Sequence, residues 1–464
     1  MKAGRLPWIA AALILAAVVV APSPDAEARS ADLQALIDDT PTGSTLRLEP
    51  GTYAGGAHID RAMTVVGSPD AVIDGEGRGT VLEVTAADVV LRGLRVRNSG
   101  RVLEKEHSGI RVTAPRITVE DCELRDVLFG IHLRSAPDSI IRRNTVVGKL
   151  DVTFTMRGDG IHVYQADRSV VEGNHLRDSR DMIAFFSADV IVRDNVMERG
   201  RYGLHLMYSD RTLVTRNKVE ANLTGVYVMY SKGVRVVDNL LAFSDGPSGY
   251  GLAGKESDIA EVTGNRMVGN RVGVFLDGSP FSSTVTTPYR DNVIAYNTVG
   301  ALFQPSVRNN TFSNNSFIDN QEQISSTSGG ALDGNKWTVK GVGNHWSDYA
   351  GYDASGDGIG DTAYRAEGLY DAITDRHPEL TFFSGTPAAR ALDAAARAFP
   401  ALRPEPKAVD TRPLIDAPRT RGVTQAADAP SRLGLALWSG ALVAIASAVT
   451  SVGRRRRSVV GVAS

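Results

Sequence analysis

His205 and Met207 stand two residues apart in Gly203-Leu-His-Leu-Met-Tyr-Ser-Asp210, and Met229 holds the equivalent place in Val226-Tyr-Val-Met-Tyr-Ser231. In a strand, residues two apart share a face about 6.6 Å from each other, and strands of stacked repeats lie about 4.8 Å apart. Side chains at these three positions can close those gaps. Two thioethers and an imidazole are soft donors that suit Cu(I) rather than Ca²⁺ or Mg²⁺. Two stacked methionines on an apolar docking surface carry the same signature, so the triad leaves both readings open. A second group is Asp353, Asp357 and Asp361, three acids at spacing four with glycines between them. Oxygen ligands on a sharply turning backbone suit Ca²⁺, but the acid at position twelve of an EF-hand is missing, and an ion-free Asp/Gly turn is the competing reading.

Acid–base chemistry on a uronate polymer would need clustered acids and a Lys, Arg or Tyr base in a groove. Asp159 and Asp181, near His162, are the best approach to such a set. No catalytic residue is therefore assigned, and a β-helix polysaccharide lyase or epimerase is kept as the alternative function. A purely structural solenoid would leave the His/Met/aromatic positions unexplained.

An internal repeat sets the register of all these residues. Gly109, Gly130, Gly160, Gly203, Gly225 and Gly273 each begin a short alternating apolar run, with steps of 21 residues from Gly109 and 22 from Gly203. Asp181 takes the glycine position in a degenerate copy between Gly160 and Gly203. Asn144, Asn174, Asn195, Asn217, Asn239 and Asn265 run in phase, each followed by an apolar pair. A period near 22 without a Leu-x-x-Leu-x-Leu frame predicts an all-β fold, a single-stranded right-handed parallel β-helix. The asparagine is expected at a left-handed turn, its amide bonded to the next asparagine. Roughly fourteen coils of 22 residues would fill residues 35–345.

Alternation places the first and third residues after each glycine in the bore and the second and fourth outside. The outward columns are Arg, Thr, Lys and Asp at their ends. In the middle they hold His162, Tyr164, Phe185, His205, Met207, Tyr227 and Met229. This stripe reads as an exposed binding face, with His162, Tyr164, Phe185 and Tyr227 as partner-binding residues. Met197, Met267 and Cys122 read as core fillers.

The predicted order is a signal peptide over 1–28, the β-helix over 29–345 and a C-terminal cap with the Asp/Gly loop over 346–384. A Pro/Ala-rich extended tether over 385–432, helical only from Ala388 to Phe399, a transmembrane helix over 433–453 and a cytoplasmic tail over 454–464 follow. Lys2 and Arg5, a short apolar run and Ala26-Glu27-Ala28 carry the first assignment. Leu433 to Val452 without a charge, followed by Arg454 to Arg457, carries the anchor. Ser30 to Asp38 is expected as an N-terminal cap helix with Leu33, Leu36 and Ile37 on one face. The net charge of −2 gives no reason to expect a nucleic-acid partner.

The Met-Tyr-Ser coils, Asn344-His-Trp-Ser-Asp-Tyr349 with its Asp-Gly-Ile-Gly-Asp run, and the later Arg397-Ala-Phe-Pro400 and Pro413-Leu414 resemble the NosD family over residues 30–420. The resemblance implies a non-enzymatic periplasmic protein for copper-site assembly of nitrous oxide reductase. It implies work beside an ABC transporter permease and ATPase and a copper chaperone lipoprotein, with Cu(I) bound transiently. A carboxy-terminal inner-membrane anchor is a departure from the family pattern.

Overall fold

A computed structural model describes residues 32–327, 331–383, 386–399 and 404–418. The expected signal peptide, transmembrane helix and cytoplasmic tail lie outside the described residues. No helix among the described residues is long and apolar enough to cross a membrane.

Each coil contributes one strand to each of three parallel sheets, as in Leu213–Thr215, Lys218–Glu220 and Thr224–Met229. The sheets hold 12, 13 and 12 strands, each paired only with the coils before and after it. The result is a right-handed parallel β-helix of about 12 turns with about 23 residues per turn. Fewer turns form than the fourteen expected because the step is not constant. It is 19 residues from Thr45 to Thr64 and 30 from Ile140 to Val170, where an insertion loops out.

The bore is filled as alternation requires. Ile131, Leu133, Leu204, Leu206, Val226 and Val228 are fully buried, and so are Val146, Leu176, Met197, Val219, Leu241 and Met267 behind the asparagines. The repeated glycine answers a steric demand. A Cβ on Gly225 would lie 2.4 Å from the carbonyl oxygen of Gly251 in the next coil. Val228→Ala empties part of the bore and is expected to cost roughly 1–4 kcal/mol. Met229→Ala, one residue on and outside the bore, should leave the denaturation midpoint nearly unchanged. Equal losses in urea unfolding would contradict this sorting of the faces.

The asparagines form the expected ladder, and it runs further than expected. From Asn144 through Asn174, Asn195, Asn217, Asn239, Asn265, Asn292, Asn315 and Asn344, each amide donates to the next side-chain oxygen at 2.8–3.1 Å. The left-handed turn, however, belongs to the preceding residue: Arg143, Gly173, Asp194, Arg216 and Asp238 have positive φ. Asn is selected for its side-chain donors and acceptor, not for backbone tolerance. Outside, the turn positions carry ion pairs between coils, such as Arg116–Asp88, Arg168–Asp138 and Arg211–Asp189. These are exposed, and each contributes little.

Leu33–Asp39 caps the N-terminal end as a helix, with the Asp32 carboxylate accepting from the amides of Gln34 and Ala35. Leu33 and Ile37 are buried against the first coil. Leu36 points away and is exposed, a correction to the expected face. At the other end, His345–Trp346 is the last strand of the second sheet. Trp346 stacks between Phe317 and Tyr364 at 4.3 and 4.2 Å. Within the region expected as a tether, the helical stretch expected from Ala388 to Phe399 forms as Pro387–Ala398, and a segment expected to be extended then returns to the cap. Val409–Asp410 pairs antiparallel with Tyr364–Arg365, and Leu414 bridges both His345 and Ile359.

Candidate functional site

The outer face of the third sheet carries the candidate site, and strand pairing sets its columns. His162, Ile183, His205 and Tyr227 are successive partners in one column, and Tyr164, Phe185, Met207 and Met229 in the next. The sequence-predicted residues are thus brought together as expected. Their exposure is not as expected. His205 and Tyr227 are 7% and 9% exposed, and His162, Tyr164, Phe185, Met207 and Met229 are half-buried. The reason is a layer of large neighbours leaning over the columns. Tyr202 sits edge-on to His205 and Tyr227 at 4.9 and 5.5 Å, and the Arg201 guanidinium lies over Tyr202.

Buried carboxylates stand behind the imidazoles. Asp159 Oδ2 is 2.9 Å from His162 Nδ1, and Arg180 donates to both Asp159 oxygens at 3.0 and 3.2 Å. Burial pushes the Asp159 carboxyl up, but the His162 and Arg180 partners outweigh it and hold the group below the usual carboxylate range. Asp181 is clamped by Arg201 through Nε at 3.0 Å and through Nη2, and it lies 3.8 Å from His205 Nδ1. Carboxylates locked onto arginine are poor proton shuttles, which weighs against the lyase or epimerase alternative. One coil earlier, His132 is buried against Phe129 and His162. Burial drives its pKa down to about 3.

Both ring nitrogens of His205 are buried without a hydrogen-bond partner among the described residues. Leaving such groups unpaired is costly, so the imidazole is suited to an outside acceptor of its lone pair. Met207 and Met229 are direct partners on adjacent strands, and Met229 packs on an outer apolar cluster of Tyr227, Ala253, Val272 and Phe275. Among the described residues, no three of His, Cys, Asp and Glu gather as a metal site. The candidate set is therefore one imidazole with two thioethers, a donor set fitting Cu(I) cargo.

Sequence reasoning missed the next column. Phe186, Tyr208 and Tyr230 stack at 5.0 and 5.2 Å, and Phe186 and Tyr208 are 46% and 43% exposed. All three have positive φ, a conformation that costs a bulky residue energy. Their signal was in plain sight as the aromatic residue before Ser187, Ser209 and Ser231, which in the last two is the Tyr of Met-Tyr-Ser.

The calcium expectation finds no support in the geometry of Asp353, Asp357 and Asp361. Asp353 accepts backbone N–H groups from Gly356 and Gly358 at 2.6 and 2.8 Å, and these bonds hold its carboxyl below the usual range. Asp361 accepts from Ala354 at 2.6 Å, and Asp357 from Ile359 at 2.9 Å. The acids serve their own loop, as an Asp/Gly turn does.

Residues 146–351 match the NosD family model, described as a periplasmic copper-binding protein. The chain is 27% identical over 397 residues to a probable ABC transporter binding protein NosD of Stutzerimonas stutzeri, covering 82% of this chain and 88% of that one. It is 29% identical over 387 residues to the protein of the same description in Pseudomonas aeruginosa, covering 80% and 88%. A solved structure with a similar outline is the A-module of mannuronan C-5 epimerase AlgE6 from Azotobacter vinelandii. It is 16% identical, covers 66% of this chain and 95% of that chain, and has a TM-score of 0.47.

Proposed function

We propose that this chain, a NosD-family protein by its match over residues 146–351, receives Cu(I) in the periplasm and passes it on during copper-site assembly of nitrous oxide reductase. In this reading it works beside an ABC transporter permease and ATPase and takes its cargo from a copper chaperone lipoprotein. It is an accessory protein, not an enzyme, held at the inner membrane by residues 433–453. The names of its relatives, which refer to transporter binding, support the partnership.

The observation that carries the reading is His205, buried with neither ring nitrogen hydrogen-bonded among the described residues, beside the stacked pair Met207 and Met229. Thioethers bind Cu(I) without losing a proton, so only His205 ties affinity to pH. His162, Tyr164, Phe185 and Tyr227 shape the apolar face on which the carrier docks. This suits handover: His205 is buried under Tyr202, which a docking partner can displace, and the two methionines beside it are half-buried.

Changing Met207 and Met229 together to Ala is expected to leave folding intact and to lower the copper content of the reductase several-fold at normal protein levels. Full copper loading in those cells would overturn the assignment. Titration of the purified double variant with Cu(I) against a competing chelator separates a lost ligand from a lost docking surface.

A further inference from the structure

The Asn ladder does not end in solvent. Its last member, Asn344, donates its backbone N–H to Asp410 Oδ2 at 2.7 Å and its amide to the same oxygen at 3.3 Å. Trp346 Nε1 donates to that oxygen at 3.0 Å, and Thr338 Oγ1 donates to Oδ1 at 2.7 Å. Asn344, Trp346 and Asp410 are all buried to within 1%. Four donors from the solenoid end thus converge on one carboxylate that is 64 to 72 residues away in sequence. The segment carrying it lies along the last coil. The amide of Gly343 donates to Arg412 O at 3.0 Å, that of Leu414 to Asn344 O at 2.9 Å and that of Leu332 to Lys407 O at 2.8 Å.

We propose that the end face of the β-helix is a recognition site for an extended peptide bearing a carboxylate, filled here in cis by residues 404–418. Two features make it a binding site and not merely a chain turn. Three of the four donors belong to the repeat itself, since Asn344 ends the ladder and Trp346 lies in the last strand of the second sheet. The segment meets the solenoid end through backbone bonds at Leu332, Gly343 and Asn344 and an isolated parallel bridge between Leu414 and His345, a short form of the mode by which sheet edges capture peptides, and Asp410 is the buried side chain that takes the solenoid's donors. A hydrogen bond to a charged acceptor is stronger than one between neutral groups, so Asp410 is the specificity element. It follows that whatever lies beyond residue 418 is held to the solenoid through this site. The covalent path through residues 384–403 is then dispensable for attachment.

The test uses the full chain with a site-specific protease sequence in place of residues 400–403 and an affinity tag at the C-terminus. After cleavage, the fragment from residue 404 onward should co-purify with the solenoid. An excess of synthetic peptide 404–418 should release it. The same peptide carrying Asp410→Ala should compete at least tenfold less well. Because the competition is run on the cleaved wild-type chain, it does not depend on any variant folding. Immediate loss of the fragment on cleavage would overturn the proposal, and so would equal competition by the two peptides.

Discussion

Asn217→Ala is expected to be among the most destabilising single substitutions in the chain. Asn217 is 2% exposed in the middle of the ladder. Its amide donates to Val192 O at 2.9 Å and to Asn239 Oδ1 at 3.0 Å, and its oxygen accepts both the backbone N–H and the amide of Asn195 at 3.0 Å. Alanine leaves the two buried donors of Asn195 without their acceptor and Val192 O without its donor, while Asn239 Oδ1 keeps only the backbone N–H of residue 217 at 2.9 Å. An orphaned buried group costs about 1–3 kcal/mol, so the total is roughly 3–5 kcal/mol after partial relaxation. The ladder is also cut in two, and amides that polarise one another lose that reinforcement. Asn217→Asp keeps the acceptor but turns a charge towards Asn239 Oδ1 and Val192 O, and should be no milder at neutral pH. Urea unfolding by far-UV circular dichroism reads the effect. A loss under about 1 kcal/mol would mean that the ladder follows from the coil rather than holding it.

The second large effect is expected from pH. His132 is neutral in the folded chain because burial disfavours its charged form, with His162 and Arg111 adding repulsion, and its pKa falls to about 3. Unfolded, a histidine titrates near 6.5. Between these values the unfolded chain binds more protons than the folded one, so stability rises with pH. Acidification from about pH 6.5 to about pH 3 should therefore remove stability, about 3–5 kcal/mol from this residue. Asp159 acts in a lower window. Its folded pKa is depressed, so its contribution is present above the unfolded value and is lost only as pH falls below about 4. His132→Gln should flatten the upper window and leave the lower one. If the variant and the wild type lose stability in parallel between pH 6.5 and pH 4, His132 is not the titrating group.

The fold was legible because its signal is periodic. Gly203, Gly225 and the in-phase asparagines repeat a local demand in every coil, and inward and outward positions follow from alternation alone. The columns of the site were legible for the same reason, since the register carried His205 onto Tyr227 and Met207 onto Met229. Three things were not. The burial of His205 and Tyr227 depends on how far Tyr202 and Arg201 lean across the face, and side-chain reach has no period. The left-handed residue is Arg143 or Asp194 and not its asparagine, because the two neighbours share one turn and composition favours Asn. The docking of Asp410 is a contact across 66 residues into a proline-rich stretch, whose composition reads as extended tether.

The coil count also sets a distance. The third-sheet strand Thr224–Met229 is four steps from the last strand, Glu322–Ser326, in the sheet order. At about 4.8 Å per step, Met229 stands about 19 Å, and Met207 about 24 Å, along the axis from the end that grips residues 404–418. A stack of parallel coils does not stretch or bend like a linker, so this offset works as a fixed boom. Its length can change during evolution only by whole coils, because a partial one would break the ladder and turn the methionines off their face. In the proposed function, a copper carrier meets the rod on its flank, at a height that the number of coils has already chosen.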